Sequence, residues 1–323
     1  MNYHLLILYI KNYCKNLINI IRILFFIIIL IFIIKIHAYI NNITNNINIE
    51  FRVCLCTLGK QENRYIREFV EHYKNYGVDK IYLYDNNDIK GEKFEDVIND
   101  YIEKGIVEII NFRGKKRPIY RIMNNCYRKN YKKYNWLIFY EIDEFIYLKD
   151  FKNIKLFLNN SRFNNCQKVQ LNWNFHTDNN LLHYDNRSLK IRFPEILPSL
   201  KGKKKDGPIG IKTILRGHIP NIRINCIHKL NKNLQACDGF GNPKKPLGIV
   251  TDISDLDYYY IDHYYSKSTE EFINKLNKGD ALFYDNRMER IETYFSQNKI
   301  SREKIDYFEN STGLNLTKFK NGY

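Results

Sequence analysis

The sequence contains no Gly-x-Gly-x-x-Gly loop and no Walker A loop, so neither a dinucleotide oxidoreductase nor a P-loop enzyme is expected. It contains no Cys-x-x-Cys pair, which argues against a zinc knuckle. No internal repeat is apparent. Acidic residues are in the minority, 35 Asp and Glu against 51 Lys and Arg, for a formal charge of +16. Such a balance suits nucleic acid, an anionic membrane surface or an anionic small substrate. The chain is, however, loaded with Ile, Asn, Lys and Tyr throughout, and its lysines are scattered. The one dense cluster, Lys201, Lys203, Lys204 and Lys205 beside Gly202 and Gly207, reads as a solvated loop. A nucleic-acid binder needs a continuous basic stripe with interleaved aromatics, and none is present, so no nucleic-acid partner is expected.

Cysteines number seven, an odd count: Cys14, Cys54, Cys56, Cys126, Cys166, Cys226 and Cys237. Cys54 and Cys56 fall in a strand pattern, share a face and cannot easily bridge each other. Buried free thiols are the default, with one or two disulfides among the later cysteines if the domain is luminal.

Residues 23–34 carry no polar atom in any side chain. Extension to residues 17–40 reaches the length of about twenty residues that crosses a bilayer. Arg22 and Lys35 near its ends can snorkel. Lys11, Lys15 and Arg22 precede the apolar core and Lys35 follows it, which places the N-terminus in the cytosol. The expected layout is a tail at 1–16, an anchor at 17–40, an Asn-rich stem at 41–50 and a single domain at 51–323. A signal peptide cleaved after Ala38 competes with this reading, but its leading region would be unusually long. Sequons start at Asn42, Asn159, Asn186, Asn310 and Asn315; in so Asn-rich a chain they are weak support for a luminal, glycosylated domain.

Beyond the stem, apolar residues alternate between strand and helix spacing. Strands are expected at 51–58, 80–84, 106–112 and 136–142. Ile66, Phe69, Val70 and Tyr73 give a helix closed by Gly77, and Phe94, Val97, Ile98, Tyr101 and Ile102 give one closed by Gly105. A third helix is expected over 117–134, with Pro118 in its first turn. Alternation of this kind predicts right-handed crossovers and a parallel sheet, with ligands bound beyond the carboxyl ends of its strands.

The run Trp136-Leu137-Ile138-Phe139-Tyr140-Glu141-Ile142-Asp143-Glu144-Phe145 reads as a buried strand ending in carboxylates. Charged groups are seldom buried without a partner, so this strand end calls for a cation. Alternation puts Glu141 and Asp143 on one face and Glu144 on the other, which suits a hard divalent ion. An acidic surface turn is the plainer reading of that tripeptide alone.

Several ordered motifs go further. Lys60-Gln61-Glu62, Tyr65-Ile66-Arg67-Glu68-Phe69 and Gly77-Val78 through Tyr84-Asp85-Asn86 are followed by Glu141-Ile142-Asp143-Glu144-Phe145 and Leu171-Asn172-Trp173. Lys212-Thr213-Ile214-Leu215-Arg216 comes next, then His263-Tyr264-Tyr265, Lys267-Ser268 and Glu270-Glu271-Phe272, with Lys275 and Gly279 continuing the pattern. The series, over about 51–295, resembles glycosyltransferase family 92 and its bacterial family 2-like relatives. Glu141 stands where those relatives carry Asp, and Ile119 where they often carry Gln.

That resemblance implies an α/β GT-A fold, a Rossmann-like and mostly parallel sheet with helices on both faces, here preceded by one transmembrane helix. It also implies a UDP-sugar donor, Mn²⁺ or Mg²⁺, and inverting transfer of a hexose to a glycan or glycoprotein acceptor. Asp143 and His263 are then the expected metal ligands, an imidazole favouring Mn²⁺. Lys60, Glu62, Asp85 and Glu141 are expected at the base, ribose and metal. Lys212, Lys267 and Arg216 are expected to neutralise the diphosphate. Asp178, Glu195 and Asp238 are the base candidates, with Asp178 favoured. Trp173 suits a sugar face or core packing. A type II protein facing the Golgi lumen in a eukaryotic cell is expected. The alternatives are a catalytically inactive, anchored, lectin-like protein of the same fold, favoured by Glu141 and Ile119, or a basic nucleic-acid-binding protein.

Overall fold

The computed structural model describes residues 24–36, 50–116, 119–197, 210–225, 228, 230–231, 233–244, 257–279 and 287–320. The chain divides into two units, 1–50 and 51–323. In the first, residues 24–36 form a helix, α1, whose large apolar side chains are exposed on every face. Among the described residues no helix is long and apolar enough to cross a membrane. The remaining residues of the expected anchor, the expected tail, the stem up to 49, Cys14, Cys226 and the lysine cluster at 201–205 lie outside the described residues.

The second unit is a mixed α/β fold. Four strands, β1 (Val53–Gly59), β2 (Lys80–Asp85), β3 (Val107–Asn111) and β4 (Trp136–Phe139), pair in parallel in the order β3-β2-β1-β4. Between them run α2 (Asn63–Asn75), α3 (Glu95–Glu103) and α4 (Ile119–Asn130). Val53, Leu55, Ile81, Leu83, Trp136 and Ile138 point to the core beneath α2 and α3. Cys54, Cys56, Tyr82, Tyr84, Leu137 and Phe139 point to the core beneath α4. The two-residue period of these strands thus feeds two cores, and helices cover both faces. α2 stops where Gly77 adopts φ +84°, a conformation that costs a residue with Cβ strain; a Cβ there would also lie 2.4 Å from Asn153 Nδ2.

The later strands break the parallel pattern. They are β5 (Glu144–Leu148), β6 (Lys168–Phe175), β7 (Ile211–Arg216), β8 (Ala236–Cys237), β9 (Pro243–Lys244) and β10 (Tyr259–His263). The sheet continues from β4 as β7-β6-β10-β5, with β8 beside β6 and β9 beside β8. β7 is antiparallel to β4 and β6, β10 is parallel to β6, and β5 is antiparallel to β10. The sheet is therefore parallel in its first half and mixed in its second, not mostly parallel throughout. One consequence decides the site. The carboxyl ends of β1, β2, β4, β6 and β10 share an edge with the amino ends of β5 and β7.

Short helices α5 (Ile154–Leu158) and α6 (Leu189–Arg192) lie in the connections. The chain continues into α7 (Thr269–Asn277), α8 (Arg287–Gln297), α9 (Arg302–Thr312) and α10 (Thr317–Lys320). Phe272, Leu276, Ile291, Tyr294 and Phe308 of α7–α9 build a third core. Burying each such side chain contributes about 1.5–3 kcal/mol. Ser268 and Glu271 form the capping box that starts α7, as their spacing predicts.

Disulfides join Cys56 to Cys126 and Cys166 to Cys237. An early cysteine, Cys56, is thus bridged, because α4 packs on the face of β1 that Cys56 presents. Cys54 remains a buried free thiol, its pKa pushed up by burial.

Candidate active site

The acidic run does not continue as a strand to Ile142. β4 ends at Phe139, and the chain turns through residues 140–143 into β5. Glu144 N donates to Glu141 O at 3.0 Å, and Glu141 N donates to the Glu144 carboxylate at 2.9 Å. Alternation therefore does not apply here, and Glu141 and Glu144 meet the same cation. Lys212, at the start of β7, donates to Glu141 Oε2 at 2.8 Å and lies 3.2 Å from Glu144 Oε1. Burial opposes ionisation of all these groups. Lys212 overcomes it at Glu141, whose carboxyl is held below its usual range. The fully buried Glu144 is pushed up, by burial first and then by the neighbouring carboxylates. Lys212, whose own burial works against its charge, is held above its usual range by Glu141 and Glu144.

Asp143, 7% exposed, shows one oxygen to each side. Lys275 Nζ donates to Oδ2 at 2.7 Å, and His263 Nε2 stands 3.7 Å from Oδ1. Burial again opposes the charge, but Lys275 leads the cations that hold Asp143 well below the usual carboxylate range. Burial pushes the His263 imidazole down to about 3, so the ring is neutral. It packs against Trp173 and Phe175, at 4.5 and 5.2 Å between centroids. Asp143 and His263 are brought together by a route other than strand addition beside β4. β7 and β6 separate β4 from β10, and β10 instead pairs with β5, placing His263 opposite Glu144.

Glu62 lies after β1 at the same edge. It is ion-paired with Lys278, and Lys267 Nζ is 3.6 Å away. Lys267 is 4% exposed, adopts φ +51° and sits 3.6 Å over the Tyr65 ring. A lysine in the left-handed region is uncommon, and its surroundings over-determine it. Lys60 faces Asp88 at 3.1 Å in an exposed pair, which solvent screens to little net energy. Lys278 also donates to Lys60 O at 3.0 Å, tying the loop after β1 to the end of α7.

Other expected site residues are committed elsewhere. Asp85 is 2% exposed; its oxygens accept from Arg113 Nε at 2.7 Å and from Asn87 N at 2.9 Å. Arg113 also donates to the carbonyls of Asp88 and Glu92. Asp85 therefore rivets the loop after β2, with both of its oxygens already engaged. Asp178 is 1% exposed, 2.6 Å from Lys304 Nζ, and accepts from Tyr294 OH at 2.5 Å and Asn180 N at 2.9 Å. A carboxylate sealed among these partners cannot reach an acceptor hydroxyl. Asp238 closes its own turn, accepting from Phe240 N, Asn242 N and Asn242 Nδ2. Arg216 lies at the far end of β7, opposite Trp136, and donates to Cys166 O and Phe163 O. The length of β7 carries it away from Lys212.

Glu195 stays exposed. Its backbone carbonyl accepts from Thr177 N at 2.9 Å, and Leu197 N donates to Phe175 O at 3.0 Å. Because Phe175 pairs with His263, residue 195 lies at the same sheet edge as the acidic turn.

Lys275 and Lys278 carry roles that motif reading did not assign. Their spacing of three on a capped helix following His263 was the available sign, since it puts both on one face. Thr57 Oγ1, Glu62 Oε2, Tyr140 OH, Trp173 Nε1 and His263 Nδ1 are buried with no hydrogen-bond partner. Unmet polar atoms are rare in folded proteins; these five lie at or beside the one edge, while others, such as Trp136 Nε1 and Arg162 Nε, lie away from it. Beside them, Thr57, Leu58, Ile119, Ile122, Glu141 and Lys212 line a cleft between the ends of β1 and β4 and the start of α4. Among the described residues no three His, Cys, Asp or Glu groups cluster as a complete metal cage.

The model of glycosyltransferase family 92 matches residues 49–299. The chain belongs to glycosyltransferase family 92. The matched span includes every residue of the edge just described. A glycosyltransferase family 92 protein of Ricinus communis is 26% identical over 107 residues, 32% of this chain. The matched stretch spans only 18% of that plant protein's length. Among solved structures, S. aureus TarS 1–349 in complex with UDP-GlcNAc is similar at 12% identity and TM-score 0.38, over 81% of this chain and 80% of that one. TarS 1–349 in complex with UDP is similar at 10% identity and TM-score 0.36, over 84% and 83%.

Proposed function

We propose that this family 92 member is a GT-A glycosyltransferase that transfers a hexose from a UDP-sugar to a glycan acceptor with inversion. The observation that carries this reading is the pairing of Asp143 Oδ1 with His263 Nε2 at 3.7 Å, inside an edge ringed by buried lysines. An ionised oxygen and a neutral imidazole face each other beyond hydrogen-bonding distance. Two such donors, completed by phosphate oxygens and water, suit Mn²⁺ or Mg²⁺, and the imidazole tilts the choice to Mn²⁺. Asp143 and His263 would hold the ion, and when bound it would act as a Lewis acid on the diphosphate leaving group.

The chain's own residues supply the rest. Lys212 and Lys267 place fixed positive charge where the leaving diphosphate gains negative charge, at no reorganisation cost during reaction. Glu141, still 44% exposed in its side chain, is free on its solvent side to meet the ribose or the metal shell. Glu62 and Lys60, in the loop after β1 at the same edge, are proposed to border the base. Glu195 replaces Asp178 as the proposed base, because it is exposed and lies at the same edge. Trp173, whose ring packs against His263 and whose buried indole N–H has no partner, is the aromatic proposed beside the sugar.

The two disulfides support an oxidising compartment, and the apolar helix α1 supports membrane attachment. Together they favour a type II orientation with the catalytic unit in the lumen, that of the Golgi in a eukaryotic cell. Calorimetry of UDP with and without Mn²⁺, followed by hydrolysis of a panel of UDP-sugars, tests the reading. Absence of UDP binding under both conditions refutes it. UDP binding without turnover on any donor and acceptor points instead to an inactive, glycan-binding member.

A further inference from the structure

Each acid of the edge has a lysine: Lys212 at Glu141, Lys278 at Glu62 and Lys275 at Asp143. Of the three pairs, the last engages the carboxylate proposed, with His263, as a direct ligand of the ion. Asp143 gives Oδ2 to Lys275 and turns Oδ1 to His263, so the ammonium and an ion would share one carboxylate. From this same position the Lys275 ammonium also touches Tyr265. It lies 4.1 Å over the Tyr265 ring and 3.3 Å from Tyr265 O. The helix that bears it is fixed. Glu271 of the capping box accepts from Tyr65 OH at 2.6 Å and from Arg192 at 2.7 Å, which anchors the start of that helix.

We propose that Lys275 is a tethered competitor for the divalent ion. It neutralises Asp143 in the free protein and withdraws toward Tyr265 and the donor diphosphate only when ion and nucleotide arrive together. This rests on the reading of Asp143 and His263 as metal ligands. An ion entering alone would set two more positive charges beside Lys275 and close to Lys267 and Lys212, a repulsion that a site sheltered from water screens poorly. A nucleoside diphosphate brings negative charge that matches both the ion and the displaced ammonium. Ion and nucleotide should therefore bind with reciprocal coupling, each raising the affinity of the other by the same factor.

The test is Mn²⁺ binding to the full chain, read from the electron paramagnetic resonance signal of free Mn²⁺, with and without UDP. Wild type, Lys275→Met and Lys275→Arg are compared, with thermal unfolding as the check on folding. Wild type is expected to bind Mn²⁺ at least tenfold more tightly with UDP than without. Lys275→Met should bind Mn²⁺ alone at least tenfold more tightly than wild type, with its dependence on UDP reduced to match. Lys275→Arg keeps the charge and should resemble wild type. If Lys275→Met does not fold, Lys275→Gln, which keeps length and polarity, takes its place. Equal Mn²⁺ affinity of the neutral variant and wild type without UDP, with both binding the ion once UDP is present, overturns the competition and leaves the metal reading intact. Failure of wild type to bind Mn²⁺ with UDP present overturns both, and failure of the neutral variant alone overturns the competition.

Discussion

His263 lies opposite Glu144 in the antiparallel register of β10 and β5, and this one pairing carries its imidazole to within 3.7 Å of Asp143. The two residues are 120 positions apart, yet the link between them is a single backbone step, because Asp143 precedes Glu144. β5 starts where the acidic turn ends, so the turn and the end of β10 cannot separate without unzipping the strand pair. The site is thus as rigid as the sheet that bears it.

Asp143→Asn is expected to abolish transfer while leaving the fold in place. The change is nearly isosteric, but it removes the charge that faces His263 and Lys275. A loss in kcat of about 10²–10³ is typical when a group that stabilises developing charge is removed. Turnover at the wild-type rate would remove Asp143 from the site.

Asp178 and Glu195 should behave in opposite ways. Asp178→Asn leaves the Lys304 ammonium buried without its counter-charge, which costs about 3–5 kcal/mol of stability. The folded fraction should still turn over normally. Glu195→Gln should leave the melting temperature unchanged and lower kcat by about 10² or more, as expected for loss of a general base. Melting curves and kcat measured together on both variants decide between them. An inactive but fully stable Asp178→Asn would restore Asp178 as the base.

Acid should destabilise the fold through His263. Burial depresses its pKa from the ordinary 6.5 to about 3 in the folded chain. The unfolded chain therefore binds the proton first as pH falls. Stability is untouched above about pH 6.5, is lost progressively below it, and stops falling near the folded value. The loss from this group alone is roughly 2 kcal/mol by pH 5. His228, pushed down to about 4 by burial, adds in the same direction. Urea unfolding at pH 7 and pH 5 should show a smaller pH-dependent loss for His263→Gln than for wild type. An identical loss in both proteins would show that His263 takes up its proton without unfolding.

Reduction of Cys166–Cys237 should cost about 4 kcal/mol, the loop-closure value for residues 71 apart in sequence. The expected readout is a lower urea midpoint for Cys166→Ser/Cys237→Ser. If the midpoint does not move, the bridge adds nothing to a fold already held by the β6–β8 pairing beside it.

The βαβ half of the molecule was legible in the chain because its information is local. Hydrophobic period, helix stops at Gly77 and Gly105, and the Ser268–Glu271 cap all depend on residues within one or two turns of each other. Glu62, Lys212, Lys267, Asp143 and His263 stand out in the chain for a different reason: ordered motifs bring them forward together, and the fold places them at one sheet edge. Asp85, Asp178 and Arg216 look available in the chain but are engaged in the fold, because a carboxylate or guanidinium is defined by what packs against it. Their partners, Arg113, Lys304 and the carbonyls of Phe163 and Cys166, lie 28 to 126 positions away.

The sequence by itself determined the alternation of strands and helices in the first half of the domain, and which acids and lysines were available near strand ends, since backbone preference and burial period act over a few residues. Tertiary structure alone decided that the acidic run breaks at Phe139, that β7 and β6 intervene between β4 and β10, and that Lys275 takes the oxygen of Asp143 left over by His263. Those are matters of sheet order and of which charge reaches which. No local pattern encodes them, because a strand's neighbours are chosen by the burial of whole faces and a buried charge by the partner that the finished fold brings within about 3 Å.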